Sequence, residues 1–285
     1  MKLNKLLLST GALGVGIAAI ALRLRSGQAL RQQAVRPADP SSTVQSTTDL
    51  DTIRSIYRIW APVYEWGTGP LLLGQEGRLR RKAVARLGLR PGDTVLDVAC
   101  GTGRNFSLLQ DAVGPIGRIV GFDYTPEMLA VAEERVARQA WDNVTLIQGD
   151  AAELTLDEPF AQAQACTERS RSDRPVDAVL CTLGMTVIPH WREAIRRAVA
   201  VLKPGGALVI ADVRVSDQPG MRPVNAVIDW LSRVLAAADV RRRPWEFMAT
   251  VLDDVELENF FFDLGFVAWG RKLYREGEID GHIGS

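Results

Sequence analysis

The feature that most constrains this chain is a regular alternation, from residue 94 to residue 213, between short apolar runs and amphipathic stretches. The apolar runs have the length of buried strands, and the stretches between them space their apolar residues as helices do. Strands that alternate with helices form βαβ units and a parallel sheet. The chain is therefore predicted to adopt an α/β fold with a doubly wound, Rossmann-like parallel sheet.

The apolar runs and the helical periodicity together define the predicted elements. The predicted strands cover residues 94–98, 119–122, 144–148, 178–182, 207–212 and 266–273. The predicted helices cover residues 51–60, 75–87, 104–112, 126–139, 191–202 and 255–264. One stretch, residues 161–176 (AQAQACTERSRSDRPV), has no periodicity and few large apolar residues, so we expect a disordered surface insertion there.

Composition narrows the class of protein. Lys plus Arg and Asp plus Glu are both 34, and this balance argues against a nucleic-acid partner. Three cysteines and two histidines without metal-ligand spacing predict no metal site.

The first 49 residues differ from the rest. Residues 6–22 form an uncharged apolar run with lysines before it and arginines after it. We expect residues 1–25 to be a membrane anchor, or alternatively a cleaved signal or a peripheral segment, and the arginines favour a cytoplasmic body. Residues 26–49 are expected to form a flexible linker, and residues 50–285 the folded domain. The alternative localisation is wholly cytoplasmic.

A glycine turn follows the first predicted strand of the alternating region. Asp97 lies in that strand, and Gly101 and Gly103 follow the strand, so the backbone can approach a ligand at a helix N-terminus. The dinucleotide fingerprint would need a third glycine where Phe106 stands, which disfavours a nicotinamide dehydrogenase. A plain βα turn is the alternative interpretation.

Two further acids follow the next strands in order. Asp123 ends the second strand, where a carboxylate can bind both hydroxyls of a ribose. Asp150 follows the third strand, where a carboxylate can meet an adenine amino group. Because parallel strands end at one edge of a sheet, these acids and the glycine turn together predict a nucleoside site.

Five segments in this order resemble the class I S-adenosylmethionine-dependent methyltransferases, over about residues 50–275. They are VLDVACGTGRN (95–105), IVGFDYTPEML (119–129), LIQGDAAEL (146–154), DAVLCTLGMTVIP (177–189) and LKPGGALVIADV (202–213). Ala99 replaces one glycine of the family's usual turn. The resemblance implies methyl transfer with S-adenosyl-L-methionine as cofactor.

The resemblance also implies a role for individual residues. Gly101 and Gly103, with Ala99, would line the methionine end of the cofactor, and Asp97 would orient the turn or reach the amino group through water. Asp123 would bind the ribose. The residues implied around adenine and the sulfonium are Tyr124, Met128, Asp150, Ala151, Thr182 and Leu183.

Three residues are candidates for catalysis. His190 follows the fourth strand, where family members place the acceptor, although a solvent-facing or capping histidine is the alternative. Tyr57 and Tyr64 lie in the segment IYRIWAPVYEW (56–66), where aromatic residues either pack in the core or face the acceptor. This segment is similar to those of phosphatidylethanolamine N-methyltransferases and of ubiquinone/menaquinone-biosynthesis C-methyltransferases, and it does not choose between them.

We therefore expect a membrane-tethered methyltransferase that acts on a lipid, a quinone or another hydrophobic small molecule. A soluble small-metabolite methyltransferase and an inactive cofactor-binding protein are the alternatives. Apolar residues recur at helical spacing from Met221 to Leu235, and residues 241–243 are three arginines that either face solvent or contact an anionic lipid or substrate. The oligomeric state stays open.

The C-terminal end departs from the family pattern. The family sheet ends in a hairpin of two strands, and residues 266–273 can supply one of them. After residue 275 Ile279 and Ile283 are the only large aliphatic residues, so no run of strand length remains. We expect six strands, with the final strand missing.

Overall fold

A computed structural model describes residues 32–34, 50–60, 74–155 and 175–273. The strands are β1 (Gln32–Ala34), β2 (Thr94–Val98), β3 (Arg118–Asp123), β4 (Val144–Gln148), β5 (Val176–Thr182), β6 (Leu202–Val213), β7 (Asp253–Phe260) and β8 (Gly265–Arg271). The helices are α1 (Leu50–Trp60), α2 (Glu76–Leu87), α3 (Phe106–Val113), α4 (Pro126–Gln139), α5 (Trp191–Ala200), α6 (Arg222–Ala236) and α7 (Pro244–Met248).

All the described strands form one mixed sheet with the order β1-β7-β8-β6-β5-β2-β3-β4. Strands β2 to β6 pair in parallel, and β8 pairs antiparallel with both β6 and β7. The seven strands from β2 to β8 make up the body of the sheet, and the short β1 pairs antiparallel with the edge strand β7. The predicted α/β, Rossmann-like fold is confirmed.

Alternate residues of the central strands enter two different apolar layers, because successive side chains of a strand point to opposite faces. Leu96 and Val98 pack in one layer with α5 and α7. Val95 packs in the other layer with α2, α3 and α4. Helices therefore cover both faces of the sheet, as the continuous apolar strands require.

The expectation of a missing final strand is wrong, and so is the helix predicted over residues 255–264. Residues 253–260 form β7, and β8 lies between β7 and β6, so the closing hairpin is complete within residue 271. Val255 and Leu257 alternate with polar residues and bury their side chains on one face, whereas Phe260 is buried on the other. This period of two is the signature of a strand.

Glu258 interrupts the alternation of apolar and polar residues in β7. The residue belongs to β7 but is only 3% exposed, because α2 carries Lys82 and Arg86, and both form salt bridges with its carboxylate. These two cations outweigh the effect of burial and hold the pKa of Glu258 below its usual value. The hairpin is thereby attached to α2, while Arg86 also stacks over Trp269 of β8.

Most of the first 49 residues, including the apolar run at residues 6–22, lie outside the described ranges. Within the described ranges, no helix combines the length and the apolar character needed to cross a membrane. Gln32–Ala34, inside the expected linker, pairs with β7. Of the expected insertion at 161–176, the structure describes only the last two residues. Pro175 precedes β5, and Val176 is buried as the first residue of that strand.

The revised assignment of residues 253–260 can be tested by truncation of a side chain. Replacement of Leu257 by Ala should lower the free energy of unfolding by about 2–5 kcal/mol, because it leaves a cavity under a buried strand. Urea denaturation measures this loss. The matched control is Glu256→Ala, a partly exposed neighbour on the opposite face of the same strand, which should change the free energy by less than about 1 kcal/mol. Equal losses in both variants would contradict the alternating strand.

Candidate functional site

A cavity with about 770 Å³ of empty space opens at the carboxyl edge of the parallel strands. The wall comes from the ends of β2, β3 and β5, from the segments that follow β4 and β5, and from α1 and α2. The lining residues are Leu50, Ile53, Tyr57, Arg80, Ala99, Cys100, Gly101, Thr102, Arg104, Phe122, Asp123, Tyr124, Thr125, Met128, Gly149, Asp150, Ala151, Thr182, Leu183, Gly184, Val187, Ile188 and Pro189.

The glycine turn brings backbone to the cavity. Gly101 has a φ of 56° and Gly103 a φ of 74°, in the left-handed region that favours glycine. A Cβ atom on Gly101 would meet nothing within 4 Å, so this residue borders open space. A Cβ atom on Gly103 would lie 2.5 Å from the ring of Phe106, which occupies the position of the third glycine of a dinucleotide fingerprint. Ala99 adopts the same left-handed region with a φ of 53°.

Asp123 joins the end of β3 to the glycine turn. One carboxylate oxygen accepts the backbone N–H of Gly101 at 2.8 Å, and the other accepts the N–H of Thr125 at 2.9 Å. Burial raises the pKa of Asp123, and these backbone hydrogen bonds oppose the rise. Since each carboxylate oxygen has two lone pairs, both oxygens can accept a further hydrogen bond from a ligand in the cavity.

Asp97 lies beneath the cavity and is not part of its wall. It is fully buried, and both of its oxygens accept from the amide of Asn105, at 2.9 and 3.0 Å. The same amide donates to the hydroxyl of Thr182 at 3.0 Å. Asp97 therefore holds the turn between β2 and α3 and links it to the end of β5.

Arg80 of α2 completes this buried polar network. It donates to the Asn105 carbonyl oxygen at 2.9 Å and to the Thr182 hydroxyl at 2.6 Å. Its other nitrogens donate to Glu76 at 2.9 and 2.7 Å. Glu76 also pairs with Arg104 of the glycine turn at 2.9 Å. Two cations, Arg80 and Arg104, thus line the same cavity as the carboxylates of Asp123 and Asp150.

The residues expected around adenine lie together. Tyr124, Met128, Asp150 and Ala151 all line the cavity, with Asp150 accepting the backbone N–H of Ala152 at 2.9 Å. Met128 is 2% exposed and forms part of an apolar floor. Thr182 and Leu183 also line the cavity, as expected from their place after the fourth parallel strand of the alternating region.

The segment after β5 is fixed by two buried charges that the sequence did not reveal. Asp212, at the end of β6, accepts both the backbone N–H and the hydroxyl of Thr186. Arg242 donates to the carbonyl oxygens of Met185 and Ile188, at 2.7 and 2.6 Å. Arg242 is 7% exposed, so the middle member of the three-arginine run is a structural residue rather than part of a solvated or lipid-facing surface.

The three catalytic candidates have different positions. Tyr57 lines the cavity, whereas Tyr64 lies outside the described residues. The structure does not bring His190 into the cavity wall: the residue is exposed, precedes α5 and makes no side-chain capping bond to that helix. Its two neighbours point into the protein, because Pro189 lines the cavity and Trp191 is buried, and His190 between them is left exposed.

Two observations show that the site fits a polar cofactor. The hydroxyl oxygen of Thr102 is buried and has no hydrogen-bond partner among the described residues, although buried polar atoms are normally paired. It lines the cavity beside Gly101, whose missing side chain leaves open space. A ligand with hydrogen-bonding groups can satisfy the hydroxyl and approach the backbone there.

Comparison with known proteins decides the family. A family model described as a methyltransferase domain matches residues 89–243. The demethylmenaquinone methyltransferase of Staphylococcus aureus is 33% identical over 211 residues, which are 72% of this chain and 80% of the relative. The chain belongs to the class I S-adenosylmethionine-dependent methyltransferases. Its cofactor is S-adenosyl-L-methionine.

Further relatives agree with this assignment. The demethylmenaquinone methyltransferase of Symbiobacterium thermophilum is 29% identical over 250 residues, covering 82% of this chain and 92% of the relative. Two solved structures share the fold at low identity. A methyltransferase from Haloferax volcanii, solved with a methyltransferase activator, has a TM-score of 0.56 at 20% identity and covers 76% of this chain and 98% of its own. A S-adenosylmethionine-dependent methyltransferase from Thermotoga maritima has a TM-score of 0.55 at 17% identity, with 77% and 99% covered.

The buried Asp97 makes the stability of this methyltransferase depend on pH. Burial raises the pKa of Asp97 to about 7, despite the Asn105 hydrogen bond and the charge of Arg80. Between about pH 4 and pH 7 the unfolded chain has lost this proton and the folded chain keeps it, so stability falls as pH rises. The slope from this group is at most about 1.4 kcal/mol per pH unit.

The comparison that isolates this effect is between the wild type and Asp97→Asn, in the absence of cofactor. Urea unfolding at pH 5, 6, 7 and 8 (about the window set by the raised pKa) should show the variant gaining stability relative to the wild type as the pH rises. Asp142→Ala, an exposed acid, should follow the wild type throughout. Parallel curves for Asp97→Asn and the wild type would contradict an elevated pKa.

Proposed function

We propose that this methyltransferase methylates a hydrophobic quinol-type acceptor that resides in a membrane. The observation that carries the proposal is its similarity, at 29–33% identity, to proteins named demethylmenaquinone methyltransferase. The lining of the cavity supports it, because part of the wall is apolar. This part includes Leu50 and Ile53 of α1, and Val187, Ile188 and Pro189 of the segment after β5.

The polar end of the cavity would hold the cofactor. Asp123 would accept from both ribose hydroxyls, and Asp150 and Ala151 would meet the edge of the adenine, with Tyr124 and Met128 on its faces. Gly101 and Gly103 would let the backbone approach the methionine end. Arg80 and Arg104 are placed to attract its carboxylate, while Asp97 would act only through Asn105.

When bound, S-adenosylmethionine supplies an electrophilic methyl group. The protein then has to align the acceptor carbon with that group and exclude water, both of which lower the barrier without a strong base. Thr182 ends β5 and Leu183 follows it, and both line the cavity where the two reactants would meet. Tyr57 would close the acceptor end from α1 and can orient a ring hydroxyl by hydrogen bonding.

The apolar run at residues 6–22 supports a membrane tether. A chain held at the bilayer by this segment would keep the domain near an acceptor with a long apolar tail. Because Gln32–Ala34 pairs with β7, the tether would reach the domain through only the residues between 22 and 32.

The acceptor class is tested with purified full-length protein, labelled S-adenosylmethionine and three acceptors in turn. We expect label in demethylated menaquinol and a product heavier by one methyl group, measured by mass spectrometry. Phosphatidylethanolamine and a pool of water-soluble metabolites serve as the competing acceptors. Labelling of phosphatidylethanolamine or of a metabolite alone would replace the quinol proposal. Cofactor binding without any labelled product would identify an inactive binding protein.

Removal of the Asp123 carboxylate tests the cofactor assignment. Asp123→Ala should weaken cofactor binding by about 2–4 kcal/mol, since two ribose hydroxyls lose their acceptor and each stranded buried group costs about 1–3 kcal/mol. Calorimetry measures the affinity, and circular dichroism verifies the fold, because Gly101 and Thr125 also lose a hydrogen bond. Asp142→Ala is the control with an exposed acid. An unchanged affinity for Asp123→Ala would rule out the assignment.

Deletion of residues 1–25 tests the tether and leaves the paired strand Gln32–Ala34 in place. The shortened chain should bind the cofactor with unchanged affinity and should leave the membrane fraction in high salt. A loss of cofactor affinity would make these residues part of the folded domain. Retention of the shortened chain in salt-washed membranes, at the level of the full chain, would contradict the tether.

A further inference from the structure

Helix α6 has a second apolar stripe on its exposed side, in addition to the partly buried apolar residues that face the domain. Val227, Trp230 and Val234 are 41%, 61% and 58% exposed. Their spacing of three and four residues places them on one face of the helix. Among the described residues, the other large exposed apolar side chains, Ile116 and Leu273, stand singly elsewhere.

The inward side of α6 also carries two buried polar residues among its apolar ones. Asp229 and Ser232 are each 8% exposed. Asp229 accepts from Arg233 at 3.1 Å and forms a bidentate pair with Arg241 at 3.1 and 3.0 Å. The acid of this helix, Asp229, is thus turned towards the protein. Val227, Trp230 and Val234 form the exposed apolar surface that we call the outer face.

The rim of the outer face is rich in cations. Arg222 is exposed at the start of α6, and the side chains of Arg233, Arg241 and Arg243 are 57%, 62% and 50% exposed. The acids nearby are already paired with arginines. These pairs are Asp217 with Arg214 and Arg243, Asp229 with Arg233 and Arg241, Asp239 with Arg242, and Glu246 with Arg243. Arg222 has no acidic partner among the described pairs.

Helix α6 also adjoins a helix of the cavity wall. It packs against α1, and α1 supplies Leu50, Ile53 and Tyr57 to the lining of the cavity. A surface that covered the outer face would therefore lie next to a helix that lines the site.

We propose that the outer face of α6 docks on the surface of an anionic bilayer. A tryptophan with aliphatic neighbours and an arginine rim is the composition of helices that lie in the membrane interface, where apolar groups enter the headgroup region and cations meet anionic lipids. The inward-facing acid removes the charge that such lipids would repel. This inference deepens the proposed function, because it states how a membrane acceptor would reach the cavity.

The test reports on helix α6 itself and needs no turnover. A negative result would therefore leave the proposed acceptor untouched, and failure of the proposed acceptor would leave the docking result valid. An environment-sensitive fluorophore is attached to full-length Val234→Cys in a Cys166→Ser background. Cys100 and Cys181 are buried and should not react. The matched control is Ile116→Cys, which is 80% exposed and precedes β3 at the opposite edge of the sheet from the cavity.

With vesicles of phosphatidylcholine and phosphatidylglycerol, the probe at residue 234 should shift to the blue and brighten by about two-fold, as expected on entry into the interface. Vesicles of phosphatidylcholine alone should give a smaller change. The probe at residue 116 should not change. Trp230→Asp, added to the Val234→Cys chain, should abolish the response, whereas Trp230→Phe should retain most of it.

Three results would overturn the proposal. A silent probe at residue 234 on protein that co-sediments with the vesicles would mean that another segment holds the membrane. Equal responses at residues 234 and 116 would mean non-specific adsorption. A response that rises with protein concentration in the absence of vesicles would mean that a second copy of the chain covers the outer face.

Discussion

The guanidinium of Arg80 is the contact on which the arrangement of the site depends. It joins α2 to the turn after β2 through Asn105 and to the end of β5 through Thr182, while Glu76 balances its charge. These are charge-assisted hydrogen bonds in a buried environment, and the loss of one partner leaves a buried charge without compensation. The carboxyl ends of two central strands are therefore held in register by one side chain from a helix that precedes them both.

Polar and apolar side chains share the wall of the cavity. The carboxylates of Asp123 and Asp150, and the hydroxyl of Thr102 that has no hydrogen-bond partner in the described part of the chain, suit a polar nucleoside and amino-acid ligand. The apolar part of the wall comes from aliphatic side chains of α1 and of the segment after β5. That segment is itself fixed by buried charges, because Arg242 caps two of its carbonyl oxygens and Asp212 holds Thr186. The position of these apolar wall residues is therefore fixed by two polar side chains, Arg242 and Asp212.

Local patterns explain what the sequence could predict. The parallel strands, Gly101, Asp123 and Asp150 were recognisable because each lies within a few residues of a strand end. Arg80 and Thr182 are 102 residues apart in the chain, and no local pattern connects them.

The C-terminal hairpin differs from the sequence prediction for a physical reason. Phe261, Phe262 and Asp263 form its turn with φ values of 52°, 59° and 62°. Non-glycine residues rarely adopt this region, and turns that need it are usually marked by glycine. These three residues include no glycine or proline, so the sequence carries no turn signal and the aromatic run resembles the continuation of a helix. Glu258 added to the error, since its buried pairing with Lys82 and Arg86 places a charge where a strand would normally bury an apolar group.

Helix α6 is apolar on more sides than its sequence periodicity predicts. The recurrence from Met221 to Leu235 predicted one apolar face, and Val224, Ile228, Leu231 and Leu235 are indeed partly buried. The structure adds the second apolar stripe, so the helix is apolar on two sides and places its acid between the helix and the domain. A helix that is apolar around most of its circumference needs an apolar neighbour on each side. Since the domain supplies one neighbour, the composition of the outer face and its arginine rim favour the bilayer as the other.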